Sequence, residues 1–176
     1  MMYGPTARER NPYHAMPSST REARNRDPEP RQKEGLNMRF QGRLCRDGKW
    51  WLAEVPVFDA MTQGRTRKEA LDMIADWFVS IVDRKNFSVR IHSTVGDDFE
   101  VSSDDSRTMI SLLLQRQRQK TGLTLAQAAQ RLGAKSRNAY ARYEQGVSVP
   151  TVEKLDELLR AIAPDRDIVV RQSHAA

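Results

Sequence analysis

The amino-acid sequence predicts an α+β protein: a small sheet-plus-helix domain followed by an all-α domain. Three observations carry that prediction. Residues 38–46 alternate apolar and polar positions, the two-residue period of half-buried strands, and after a turn signal Lys49 to Val57 is rich in aromatic and branched residues. Residues 66–82, and most of the chain from Ser106 to Pro164, switch to the 3.6-residue period of amphipathic helices. The later helical segments each open on a capping residue and close on glycine or proline.

The 176 residues fit one medium domain or two small ones. Residues 1–37 hold few large aliphatics and many Arg, Pro, Ser and Asn, too little apolar surface to offset the entropy of ordering. They are expected to be a disordered extension, read either as an overextended start before Met38 or as a functional arm. The sheet domain is placed at 38–101. Met38, Phe40 and Leu44 fall on one face of a first strand, and Asp47-Gly48 is a hairpin signal. Lys49 to Val57 reads as a second strand that Pro56 pushes off the ladder, and Ala60 to Thr62 as a third, ending at Gly64. Thr66 and Glu69 form a capping box for a helix with Ala70, Leu71, Ile74, Phe78, Ile81 and Val82 on one stripe. A strand from Phe87 to Val95, a turn at Gly96-Asp97-Asp98 and a short return strand from Phe99 to Val101 complete the sheet. Ser102 to Ser106 reads as a polar hinge.

The helical domain is placed at 107–163, with 164–176 as a tail. Ser106 is expected to cap a helix that Gly122 ends. Thr124 and Gln127 form a second capping box, on a helix that buries Leu125, Ala128, Ala129 and Leu132 and stops at Gly133. Ser136 caps the next helix, which runs to Gly146. The last helix turns Val152, Leu155, Leu158, Leu159 and Ile162 inward.

Two short helices joined by a tight glycine-containing turn are the signature of a helix-turn-helix. The second of them offers Arg137, Asn138, Tyr140 and Arg142 for base reading, since arginine forks onto guanine and asparagine pairs with adenine. Thr124, Gln127, Lys135 and Ser136 are further DNA-binding candidates, and Ser136 with the free amides of that helix start is expected to hold a phosphate. Charge supports this assignment. Between Arg107 and Tyr143 there are eight Lys or Arg and no Asp or Glu, a one-signed block that suits a polyanion. Arg116, Arg118 and Lys120 in its first helix are expected to add backbone affinity. DNA is therefore the expected partner of this half.

A resemblance sharpens both halves. Residues 107–163 resemble the Xre/Cro class of helix-turn-helix domains in "LTLAQAAQRLG", "NAYARYEQG" and "VPTVEKLDELLRAI". The turn carries one residue more than the commonest form, and Leu125 stands where the class often has a phosphate-binding glutamine. The domain in front resembles the HicB family of antitoxins in "WWLAEVPVFDAMTQGRTRKEALDMIADWF", although Ala60-Met61 replaces that family's usual Gly-Cys. The resemblance implies a partial ribonuclease-H-like fold without nuclease activity. It also implies a small basic HicA-type ribonuclease toxin as partner, and repression of the shared operon through the helix-turn-helix. Trp50 and the acidic run Asp97, Asp98 and Glu100 are the expected toxin-binding residues, an aromatic anchor beside charge that suits a basic protein. Trp50 and Trp51 point to opposite sheet faces, so one is expected in the core and the other exposed.

An enzyme is the weaker reading. Asp72, Asp76 and Asp83 fall on the outer face of their helix, the usual place for solvated charge rather than for a two-metal site. His92 has no second His or Cys at ligand spacing, and no nucleophile or phosphate-loop motif occurs. No catalysis, metal or cofactor is expected. The lone Cys45 fits a small packed side chain in a reducing cytoplasm, and no apolar run reaches the roughly 20 residues of a membrane span. A homodimer is expected, built through the last helix and the apolar tail Ile168-Val169-Val170, with a tetramer as a further step. The alternative is a stand-alone DNA-binding regulator whose sheet domain senses a ligand or oligomerises.

Overall fold

The computed structural model describes Met1, residues 38–94, residues 96–167 and Val169. Almost all of the expected N-terminal extension, and the tail beyond Asp167 except Val169, lie outside these residues. Five antiparallel strands form one sheet: β1 Arg39–Asp47, β2 Trp50–Val55, β3 Ala60–Gly64, β4 Arg90–Ser93 and β5 Asp98–Ser102, in the spatial order β3-β2-β1-β5-β4. Helix α1 (Arg67–Val82) connects the two halves of this sheet and packs on β2 and β3. Helices α2 (Ser106–Lys120), α3 (Leu125–Arg131), α4 (Asn138–Glu144) and α5 (Val152–Ile162) follow.

The two-residue period determines which face is buried. Phe40, Leu44, Ala53, Val55, Phe99 and Val101 point to the side that Ala70, Ile74 and Phe78 of α1 cover. Gly42 lies opposite Phe99, and the Phe99 ring occupies the space where a Cβ would stand, about 2.3 Å away. After Val55 the chain leaves the ladder at Pro56 and makes a short 3-10 turn, Pro56–Phe58, closed by Asp59 in the left-handed region. That turn drops Phe58 into the core, edge-on to Phe40 at 4.8 Å and to Phe78 at 5.0 Å between ring centroids.

Several local expectations change. Ile81, expected in the buried stripe of α1, is exposed, whereas Ala70, Ile74 and Phe78 are buried and Val82 packs against the core. Cys45 is exposed: its parity puts it on the open face, opposite Phe40 and Leu44. Val152 is exposed as the first residue of α5, one position after the cap. Residues 102–106, expected as a hinge, begin with the last residue of β5 and end on the first of α2. Ser102 and Ser103 are buried, and Asp105 rather than Ser106 caps α2 through the Thr108 amide at 2.9 Å.

Bonds from α2 fasten the sheet to the helices. Arg116 donates to the carbonyls of Phe58 at 2.8 Å and Asp59 at 3.0 Å, and Gln117 donates to that of Val57. Lys120 pairs with Asp59 at 3.1 Å, and Arg116 lies 5.5 Å over the Trp77 ring. Arg84, just past α1, donates to the Thr108 hydroxyl at 2.8 Å and reaches the Gln145 carbonyl at the end of α4.

Candidate nucleic-acid interface

Helices α3 and α4 pack against each other between α2 and α5. Ala128 and Ala129 are fully buried and small, which permits the close approach of α3 and α4. The connector between them turns at Gly133, whose φ of +71° is the left-handed conformation that a glycine adopts freely. Helix α4 then starts tightly: the Ser136 carbonyl accepts the Ala139 amide at 3.0 Å, and its hydroxyl accepts the Asn138 amide at 3.2 Å. Ser136 thus serves the helix start, while Arg137 stands at the cap position itself without a side-chain cap bond.

Lys135, Ser136, Arg137, Asn138 and Arg142 are all exposed along this connector and α4. None of the three cations has an acidic partner among the described residues. Asn138, Arg142 and Gln145 follow the helical repeat and line one open groove with Ser136, Ala139 and Val147. Gln145 and Val147 were not singled out from the sequence; the spacing Asn138, Arg142, Gln145 is the signal that would have found the first. Thr124 and Gln127 are exposed but satisfy each other: the Thr124 hydroxyl accepts the Gln127 amide at 3.2 Å, and the Gln127 side chain accepts the Thr124 amide at 2.9 Å.

Tyr140 is a correction. It is fully buried, and its hydroxyl donates to the Leu114 carbonyl at 3.2 Å, so it anchors α4 to α2 and reads no base. Burial and the neighbouring Glu144 carboxylate push its ionisation far above the usual phenol range. The residue lies one turn back from Glu144, on the face of α4 that α2 covers. Arg116 and Arg118, expected as backbone contacts, are likewise engaged within the protein, and the exposed Lys120 pairs with Asp59 at the surface. Arg118 forks onto both Glu144 oxygens at 2.7 and 3.0 Å and donates to the Leu123 carbonyl at 2.6 Å. The free part of the basic block is therefore concentrated around α4.

The expected toxin-binding residues are divided. Trp50 and Asp98 lie on the open sheet face, away from α1, whereas Trp51 packs against the core. Trp50 is half-buried, with Lys49 at 5.6 Å and Arg65 at 5.9 Å over its ring. Asp97 sits in the turn before β5 and is bound by Arg67. Glu100 is a correction: it is buried and held by Arg39 at 3.2 Å, which takes it out of any contact surface. Among the described residues, no group of His, Cys, Asp and Glu is arranged to hold a metal, and no helix is long and apolar enough to cross a membrane.

Four helices, the second of the close-packed pair flanked by the exposed cations Lys135, Arg137 and Arg142, define a helix-turn-helix domain. Residues 110–168 match the family model described as "Helix-turn-helix domain". No curated protein matches the chain.

Proposed function

We propose that this protein is a HicB-family antitoxin that represses its own operon through an Xre/Cro-type helix-turn-helix and neutralises a HicA-type ribonuclease. The observation that carries the DNA-binding part is the exposed set Lys135, Arg137, Asn138 and Arg142 around α4, cationic and without acidic partners among the described residues. In this reading α4 enters the major groove, Arg137 and Asn138 meet base edges at its start, and Lys135 and Ser136 meet phosphate. The antitoxin part is supported by the resemblance of the segment from Trp50 to Phe78 and by a sheet face that α1 leaves open. There Trp50, Leu52 and Asp98 are the contact candidates, acting by binding and not by catalysis. The partial ribonuclease-H-like description belongs to this proposal too.

One observation favours a second reading. Lys49 and Arg65 make the surroundings of Trp50 basic, which suits a basic toxin less well than a ligand or another protein. A stand-alone regulator with an N-terminal sensing or oligomerising domain fits that feature. Co-expression with the neighbouring small basic reading frame separates the two. Growth arrest by the neighbour alone, with rescue and co-purification by this chain, supports the antitoxin. Absence of rescue and of complex leaves the regulator alone.

A further inference from the structure

We propose that the end of the sheet formed by the β1–β2 hairpin and the β3–α1 turn binds a single-stranded nucleic acid, with bases stacked on Trp50 and Trp51 and phosphates held by Arg46, Lys49 and Arg65. This site goes beyond the readings above and needs neither the groove of α4 nor a toxin. Each indole has two cations over it. Lys49 Nζ stands 5.6 Å and Arg65 Cζ 5.9 Å from the Trp50 ring centre, and Arg67 and Arg46 stand 4.9 and 5.9 Å from that of Trp51. Arg67 is held by Asp97 and by the Gly96 carbonyl. Arg46, Lys49 and Arg65 are exposed and have no acidic partner among the described residues; Asp47, in the same hairpin, pairs with none of them. Both indoles are only partly buried.

Cations without acidic partners attract phosphate, and aromatic rings set among them accept bases, whose faces are free only in a single strand. A duplex keeps its base faces stacked inside. An acidic peptide supplies charge for the cations but no ring for the two tryptophans. A guanidinium lying over an indole also continues the stack, since a base packs on its outer plane. Trp50 and Trp51 point to opposite faces of the sheet, so a strand that rounds the hairpin end meets both within about four nucleotides. The surface is separate from the groove of α4. Arg67 opens α1, whereas Arg84, which reaches the end of α4, follows its last turn, and the 16 residues of the helix span about 24 Å.

The test titrates the full chain against labelled oligouridylate and oligothymidylate of roughly 12 nucleotides, with a duplex alongside, and follows fluorescence anisotropy at several salt concentrations. Lys49→Ala with Arg65→Ala, both at exposed positions, is expected to weaken strand binding by about tenfold and to lower the salt slope by about 1.4, two phosphate contacts at about 0.7 each. Trp50→Leu is expected to weaken strand binding by about fivefold or more with the salt slope unchanged, a split that an unfolded variant does not give. Arg137→Ala with Asn138→Ala is expected to lose duplex binding and keep strand binding. A preference for one oligonucleotide identifies RNA or DNA as the ligand, and equal affinity marks stacking without recognition of the sugar; each supports the proposal. Failure of both oligonucleotides to bind overturns it. So does loss of strand binding in the α4 variant with strand binding kept in the two sheet variants. Displacement by polyglutamate or by uridine monophosphate as effective as by the strand itself also overturns it, and assigns the site to an acidic peptide or a free nucleotide.

Discussion

Replacing Glu144 with glutamine isolates the Arg118 guanidinium inside the joint between α2 and α4. The two side chains are only 13% and 8% exposed, and the carboxylate takes two of the three bonds that Arg118 makes. The carboxylate bond also raises the already high arginine pKa, so the guanidinium stays charged whatever replaces its partner. Removing one member of a buried pair costs about 3–5 kcal/mol, because the remaining charge has lost its compensation. Glutamine keeps one acceptor oxygen, which recovers about 1 kcal/mol and leaves a loss of about 2–4 kcal/mol. For a chain of this size that lowers the thermal midpoint by roughly 4–16 °C. Circular dichroism melts of the parent, Glu144→Gln, Arg118→Met and the double variant Arg118→Met with Glu144→Leu form the assay. The double variant should melt above Glu144→Gln, since an apolar pair leaves no stranded charge. A Glu144→Gln midpoint within about 1 °C of the parent, or a double variant as unstable as the sum of its parts, refutes the reasoning.

Three further outcomes follow from the same structure. Arg137→Ala and Asn138→Ala should each weaken specific duplex binding by about tenfold or more, with the melting midpoint unchanged, in a titration at fixed salt. Gly64→Ala should cost about 2–3 kcal/mol in urea unfolding, since the new Cβ would stand about 2.4 Å from the Ala70 backbone nitrogen at the start of α1. Burial alone would raise the Asp105 carboxyl, but bonds from the Thr108 hydroxyl and amide, with Arg84 and Arg107 nearby, outweigh it and hold it below the usual range. A depressed carboxylate contributes stability above its unfolded pKa of about 3.9 and loses it as pH falls through the folded value. Asp105→Asn should therefore be less stable than the parent at neutral pH, and the gap should close below about pH 4 in matched urea titrations.

Local signals in the sequence located most elements. Hairpin, capping and glycine-stop residues act over a few positions, so Asp47-Gly48, Thr66 with Glu69, and Thr124 with Gln127 place their strands and helices without tertiary information. Parity correctly separated the two faces of β1 and β2, but not what lies above them. That Trp50 is shielded by Lys49 and Arg65 depends on the β3–α1 turn coming alongside. The basic block was visible as charge, yet charge does not show which cations are already taken. Arg118 and Tyr140 look like surface candidates at helical spacing, and only the packing of α4 on α2 shows that Glu144 and the Leu114 carbonyl claim them. The exposed set that remains, Lys135, Arg137, Asn138 and Arg142, was legible because nothing distant competes for it.

The carbonyls of Val57, Phe58 and Asp59 accept the side chains of α2, and this joint governs how the molecule can be dismantled. A cleavage between β5 and α2 would not release a finished reading head. It would leave Arg116 and Gln117 without their acceptors and the 3-10 turn without its cover. Whatever opens the sheet first, whether a protease or heat, loosens the grip on α2 and, through Arg84 and Tyr140, on α4 as well. The lifetime of the DNA-binding half is thereby tied to the integrity of the other half, and loss of one becomes loss of both.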